Sequence, residues 1–78
     1  MIEDFDSFGA RLSYVMFFKD LTFSDLAKMT EISPATLSRY CAKKRSPTLG
    51  NLKKICLATS VDANFLLGLT DVCSFKKE

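Results

Sequence analysis

Ser33-Pro34 constrains this chain more than any other pair of residues in it. Serine followed by proline is a preferred helix start. The hydroxyl caps a free backbone N–H, and proline takes the first helical position, where its missing N–H would have lacked a partner anyway. A helix therefore begins at Pro34. The apolar pattern upstream stops at Met29, which leaves Thr30-Glu31-Ile32 to turn the chain. Two short helices meet across a turn of three or four residues. Three glycines and two prolines in 78 residues offer few turns for a β-fold, so the rest of the chain also reads as helical.

Apolar spacing gives five helices. Phe8, Leu12 and Val15, with Met16 beside them, predict a first helix over 7–19, capped by Asp6 or Ser7. Thr22 caps a second over 23–29, with Asp25 favourable to its dipole and Leu26 and Ala27 inward. The third, 34–42, turns Leu37 and Tyr40 toward the core. After the loop Lys43-Lys44-Arg45-Ser46-Pro47, Thr48 caps a fourth helix to Thr59, with Leu49, Leu52, Ile55 and Cys56 on one face. Asp62 caps a short fifth, 63–67, ended by Gly68. No repeat or linker interrupts the pattern. One domain over 1–78 is expected, with a core of about 7–68 and a tail of 69–78.

The residue types present narrow the chemistry. Histidine is absent, so there is no Ser/His or Cys/His pair and no imidazole ligand. Cys41, Cys56 and Cys73 are odd in number and widely spaced, which reads as free thiols in a reducing cytoplasm. The nine acids form no spaced constellation with a base. No catalytic residue, metal or cofactor is assigned. The opening Met-Ile-Glu-Asp-Phe-Asp is no signal peptide, and no run approaches the roughly 20 apolar residues of a membrane span. A cytoplasmic protein with no membrane partner is expected.

Net charge is only +2, yet it is unevenly placed. Between Ile32 and Val61 stand Arg39, Lys43, Lys44, Arg45, Lys53 and Lys54, and no acid. A basic block set apart from every acid favours a polyanion partner. The two short helices suit such a role. They form a helix-turn-helix if they cross steeply, with Ala27 as the small residue at the crossing, Ile32 as an apolar plug in the turn, and Leu37 and Tyr40 inward.

The stretch Phe8 to Gly68 resembles the phage-repressor and Cro-type (XRE-like) helix-turn-helix family. The likeness rests on Leu-Thr-Phe-Ser-Asp-Leu-Ala, Ile-Ser-Pro-Ala-Thr-Leu-Ser-Arg-Tyr, Lys-Arg-Ser-Pro-Thr and Val-Asp-Ala-Asn-Phe-Leu-Leu-Gly, in the family's order and spacing. The resemblance implies an all-α, compact five-helix lambda-repressor-like domain, with helix 3 in the major groove and helix 2 across the backbone. By resemblance, Ser33, Pro34, Ala35, Thr36, Ser38 and Arg39 face the DNA, and the fork of Arg39 matches guanine O6 and N7. Lys43, Lys44 and Arg45 would follow the sugar-phosphate backbone. The starts of helix 2 (Thr22, Phe23, Ser24) and helix 4 (Thr48 to Asn51) would offer N–H groups to phosphates. Phe23 stands where the family usually has glutamine, and Pro34 where a polar reader often begins helix 3. Glu31 and Lys43 stand where glycine is common, at a cost of roughly 1–2 kcal/mol if the backbone is left-handed.

The implied function is a sequence-specific transcriptional regulator, a repressor of prophage or mobile-element type, bound as a homodimer to a double-stranded DNA operator. A second class stays open: a protein-interaction module on the same fold, antitoxin-like or antirepressor-binding, to which Phe23 and Pro34 lend apolar surface. Helix 1 also carries a second stripe, Ala10, Tyr14, Phe17 and Phe18, pointing away from the first. Either the tail residues Leu69, Val72 and Phe75 fold back over it, or they join it in a dimer contact.

Overall fold

Each helix begins on a side chain that replaces a missing backbone partner. The computed structural model describes residues 7–73 and contains α1 (Phe8–Phe18), α2 (Phe23–Thr30), α3 (Pro34–Cys41), α4 (Leu49–Thr59) and α5 (Ala63–Leu66). Ser7, Thr22, Ser33 and Thr48 accept the N–H three residues on, and Asp62 accepts that of Asn64. Such caps contribute about 1 kcal/mol each. At α2 the bond is reciprocal, because the Asp25 carboxylate accepts the Thr22 N–H at 3.0 Å. The expected all-α, five-helix arrangement is the one found. Asp6, the alternative first cap, lies outside the described residues.

Helix ends use two devices. After α1, α3 and α5 the left-handed backbone falls on Asp20, Lys43 and Gly68 (φ 57°, 65° and 83°). That residue and the next then bond back to carbonyls three and five residues earlier; after α3, Lys43 N–H meets Tyr40 O and Lys44 N–H meets Arg39 O, both at 3.0 Å. After α2 and α4 the left-handed residues are Glu31 and Ser60 (φ 63° and 61°), and a buried threonine completes the end. Thr30 Oγ1 donates to Leu26 O at 2.8 Å and accepts the Ile32 N–H at 3.2 Å. Thr59 Oγ1 likewise donates to Ile55 O at 2.8 Å. Ile32 and Val61 then drop into the core before the next cap. The α2–α3 and α4–α5 turns thus share a buried threonine bonded back to its helix, followed by a left-handed residue.

The core is a single cluster to which every helix contributes, with α1 on α3 and α5, and α2 on α3 and α4. The expected inward positions Leu12, Val15, Leu26, Leu37, Tyr40, Leu52 and Ile55 are all buried. Phe8 and Cys56, expected on the same faces, are half-buried against the core, and Leu49 departs furthest at 85% exposed. It occupies the first turn of α4, and the buried face of that helix runs Leu52, Ile55, Thr59 against α2 and α5. Ala27 lies partly buried beside the core as expected, but a tighter approach is at Gly9. A Cβ there would collide with the Tyr40 carbonyl oxygen and press that of Cys41 at 3.1 Å. α1 therefore rests directly on the last carbonyls of α3.

Arg11 is the largest fully buried side chain. Its guanidinium donates to Phe65 O at 2.9 Å, Thr70 O at 2.6 Å and Asp71 Oδ1 at 2.8 Å, and it lies 4.8 Å from the centroid of the Phe65 ring. This clamp draws the start of the tail onto α1 through polar groups. The apolar side chains do not follow: Leu69 and Val72 stay exposed, as do Tyr14, Phe17 and Phe18. Tyr14 instead stacks on Phe18 (6.2 Å) and tilts against Phe65 (5.9 Å). Covering of the stripe by Leu69 and Val72 is thus corrected, because the ligands of Arg11 orient this segment; Phe75 lies outside the described residues.

Two pairs of variants check this account by thermal or urea melting. Gly9→Ala should destabilise by about 1–3 kcal/mol through overpacking, whereas Gly50→Ala, whose Cβ meets nothing nearer than 4.0 Å, should stabilise by about 0.5–1 kcal/mol. Asp71→Ala should cost about 1.5 kcal/mol, the low end for bonds to charged groups because Asp71 itself stays in water. In an Arg11→Met background the same change should cost almost nothing.

Candidate nucleic-acid interface

With Leu37 and Tyr40 turned inward, the opposite side of α3 exposes Ala35, Ser38, Arg39 and Ala42, which share one face at i, i+3, i+4 and i+7. Pro34 is exposed at its start. Ala42 was not among the sequence candidates, although its place seven residues after Ala35 carries the signal. Thr36 is half-buried and turned aside: it accepts a bond from Ser33 Oγ at 2.9 Å, while that same Oγ accepts the Thr36 N–H at 3.1 Å. The outward face therefore carries one long side chain, Arg39, among short ones.

Beside this face a polar cleft of about 330 Å³ runs between α3 and the start of α4. It brings Ser33 and Thr36 together with Arg45, Thr48 and Asn51 from beyond the loop. The Asn51 Nδ2 donates to the Tyr40 hydroxyl at 2.9 Å. Lys43, Lys44 and Arg45 are exposed. The Lys43 and Lys44 N–H groups close the end of α3 and so are not available to an anion. No acid occupies the first turn of α4 itself, but Glu31 lines the same cleft as Arg45, Thr48 and Asn51.

The start of α2 differs. Asp25 sits in its first turn, and its carboxyl is held below the usual range, first by the Thr22 backbone N–H and then by the Thr22 hydroxyl. The charged form makes the cap. Its stabilisation is complete above the ordinary value of 3.8 and is lost as pH falls through the depressed folded value. At neutral pH a carboxylate thus stands where a phosphate would approach Thr22, Phe23 and Ser24. Phe23 is partly buried and lines an apolar groove of about 370 Å³ with Met16, Phe17, Leu21 and Cys41. Burial pushes the Cys41 thiol up, against the pull of a bond with Ser13, which leaves little thiolate at neutral pH.

Among the described residues no group of three or more His, Cys, Asp or Glu could hold a metal, and no helix is long and apolar enough to cross a membrane. A short helix that exposes one arginine among small side chains, bordered by a basic loop and an acid-free helix start, defines a helix-turn-helix protein shaped for a nucleic-acid groove. The family model for the Cro/C1-type HTH DNA-binding domain matches residues 11–71, and the chain belongs to that family. Its matched span opens at Arg11 and closes at Asp71, the two ends of the clamp. Searches of curated proteins and of solved structures found no match. The protein is a DNA-binding regulator with double-stranded DNA as its partner.

Asp25→Asn separates the two helix starts. The amide oxygen still accepts the Thr22 N–H, but the charge at the mouth of α2 is gone. Affinity for duplex DNA, measured by gel shift at low salt, should rise a few-fold; no change would mean that no phosphate approaches this end of α2.

Proposed function

We propose that the protein is a sequence-specific repressor, of prophage or mobile-element type, that binds its operator as a homodimer with α3 in the major groove. The observation that carries this reading is the exposed face Ala35, Ser38, Arg39 and Ala42, bordered by Lys43, Lys44 and Arg45 in a stretch without acids. Arg39 reads a guanine through its two-pronged edge. Ser33, Pro34, Ala35, Thr36 and Ser38 shape the rest of the contact, while the loop lysines, Arg45 and Thr48 hold phosphates. Thr22, Phe23 and Ser24 line the opposite strand at greater distance, kept there by Asp25. Tyr14, Phe17, Phe18, Leu69 and Val72 supply exposed apolar surface for a second copy, and two half-sites about one turn apart need such a pair. The same surface, with Phe17 at 86% exposed, also favours a protein partner such as an antirepressor.

Selection from a randomised duplex library, followed by titration, tests the reading. If each protomer neutralises about four phosphates, log affinity should fall with log salt at a slope near −3.6 per protomer, and Lys44→Ala should reduce that slope by about one. Arg39→Ala should cost about 1–3 kcal/mol at one base position and leave the melting temperature nearly unchanged. Sedimentation of the complex should give two protomers per duplex. A complex indifferent to salt would overturn the proposal.

A further inference from the structure

We infer that Asn51 sets the angle of the reading helix through Tyr40 and is a positioning residue, not a phosphate contact; this rests on the DNA-reading role of α3 proposed above. Tyr40 lies near the end of α3, 2% exposed as a residue, with its ring edge-on to Phe8, the centroids 5.9 Å apart. A buried tyrosine needs a polar partner for its hydroxyl. Asn51 Nδ2 supplies it at 2.9 Å. The main chain of Asn51 is fixed as well, because its N–H donates to Thr48 Oγ1 at 3.1 Å. A phosphate contact from this side chain would need Nδ2, and one of its two N–H groups is held by the Tyr40 hydroxyl, which fixes the amide from the Tyr40 side.

The bond matters because of what it joins. α3 packs on α1 and α2, and α4 packs on α2 and α5, so the two helices share little direct packing. Yet both must meet one duplex at once, α3 with its outward face and the start of α4 with its free N–H groups. Asn51–Tyr40 is a direct side-chain tie across that gap, next to Arg39 in sequence and beside Arg45 and Thr48 in the cleft. Without it α3 can tilt relative to the phosphate-holding elements. Base discrimination then falls before general affinity does, since phosphate contacts tolerate a tilt that base edges do not.

The test uses the full chain and the preferred duplex from the library, with a scrambled duplex as reference at the same salt. Tyr40→Phe keeps the ring against Phe8 and removes only the hydroxyl. Asn51→Ala and Tyr40→Phe should each lower the preferred-to-scrambled affinity ratio about tenfold, the size of one lost base contact. Scrambled-duplex affinity and salt slope should stay unchanged, and the double variant should be no worse than either single one. If Asn51→Ala removes about one from the salt slope and its loss adds to that of Tyr40→Phe, Asn51 holds a phosphate and the inference fails. Should Tyr40→Phe not fold, Asn51→Ala decides alone: a lowered preferred-to-scrambled ratio at an unchanged salt slope supports the inference, and an unchanged ratio or a shallower slope overturns it. A library that yields no preferred duplex overturns the DNA-reading proposal itself, and the inference with it.

Discussion

A guanidinium sealed from water is costly unless its donors find acceptors, and in this chain the acceptors for Arg11 come from the far end of the sequence. Two backbone carbonyls, Phe65 O and Thr70 O, and the Asp71 carboxylate meet it at 2.6–2.9 Å. The arrangement is asymmetric, with the cation buried and Asp71 86% exposed. Most of the compensation for desolvation must then come from fixed carbonyl dipoles and the Phe65 ring rather than from the ion pair alone. The position of α1 relative to α5 follows from this clamp. So does the position of α3, because α1 lies on the Tyr40 and Cys41 carbonyls across Gly9. From Arg11 the chain of contacts leads through Gly9 to Tyr40 and on to Asn51, which links core packing to the DNA-facing surface.

The loops that border that surface carry strain that their hydrogen bonds offset. Glu31 and Lys43 both hold the left-handed backbone where glycine would sit more easily. At Lys43 two N–H groups close α3, and at Glu31 the neighbouring Thr30 hydroxyl receives the Ile32 N–H. Each device satisfies groups that would otherwise be orphaned at a helix end. Each also leaves a charged side chain at the rim of the polar cleft or beside it.

Electrostatics then divides the interface into unequal parts. The first turn of α4 carries no acid of its own, and the nearest in its cleft is Glu31 from the α2–α3 turn, whereas α2 carries its own carboxylate in its first turn. Asp25 completes a capping box that keeps an eight-residue helix in place. Stability of the helix-turn-helix and attraction for phosphate thus compete at a single residue.

Much of this protein was determined by the sequence alone, wherever the deciding interaction is local. Ser7, Thr22, Ser33, Thr48 and Asp62 start their helices because a cap acts over two or three residues, and helical spacing marks Leu12, Val15, Leu37 and Ile55 as inward. The family phrases and the basic stretch from Arg39 to Lys54 were equally readable, since they depend on order and composition. Other features depended on partners distant in the chain, and only the tertiary structure decided them. Nothing in the spacing around Arg11 marks it as buried, and its acceptors lie 54 to 60 positions away in the chain. Gly9 mattered only once α3 lay against it, Leu49 lost its expected burial because no helix covers the first turn of α4, and Thr36 turned toward the cleft instead of outward. Periodicity tells which face of a helix is apolar; what that face meets depends on where the other helices come to rest.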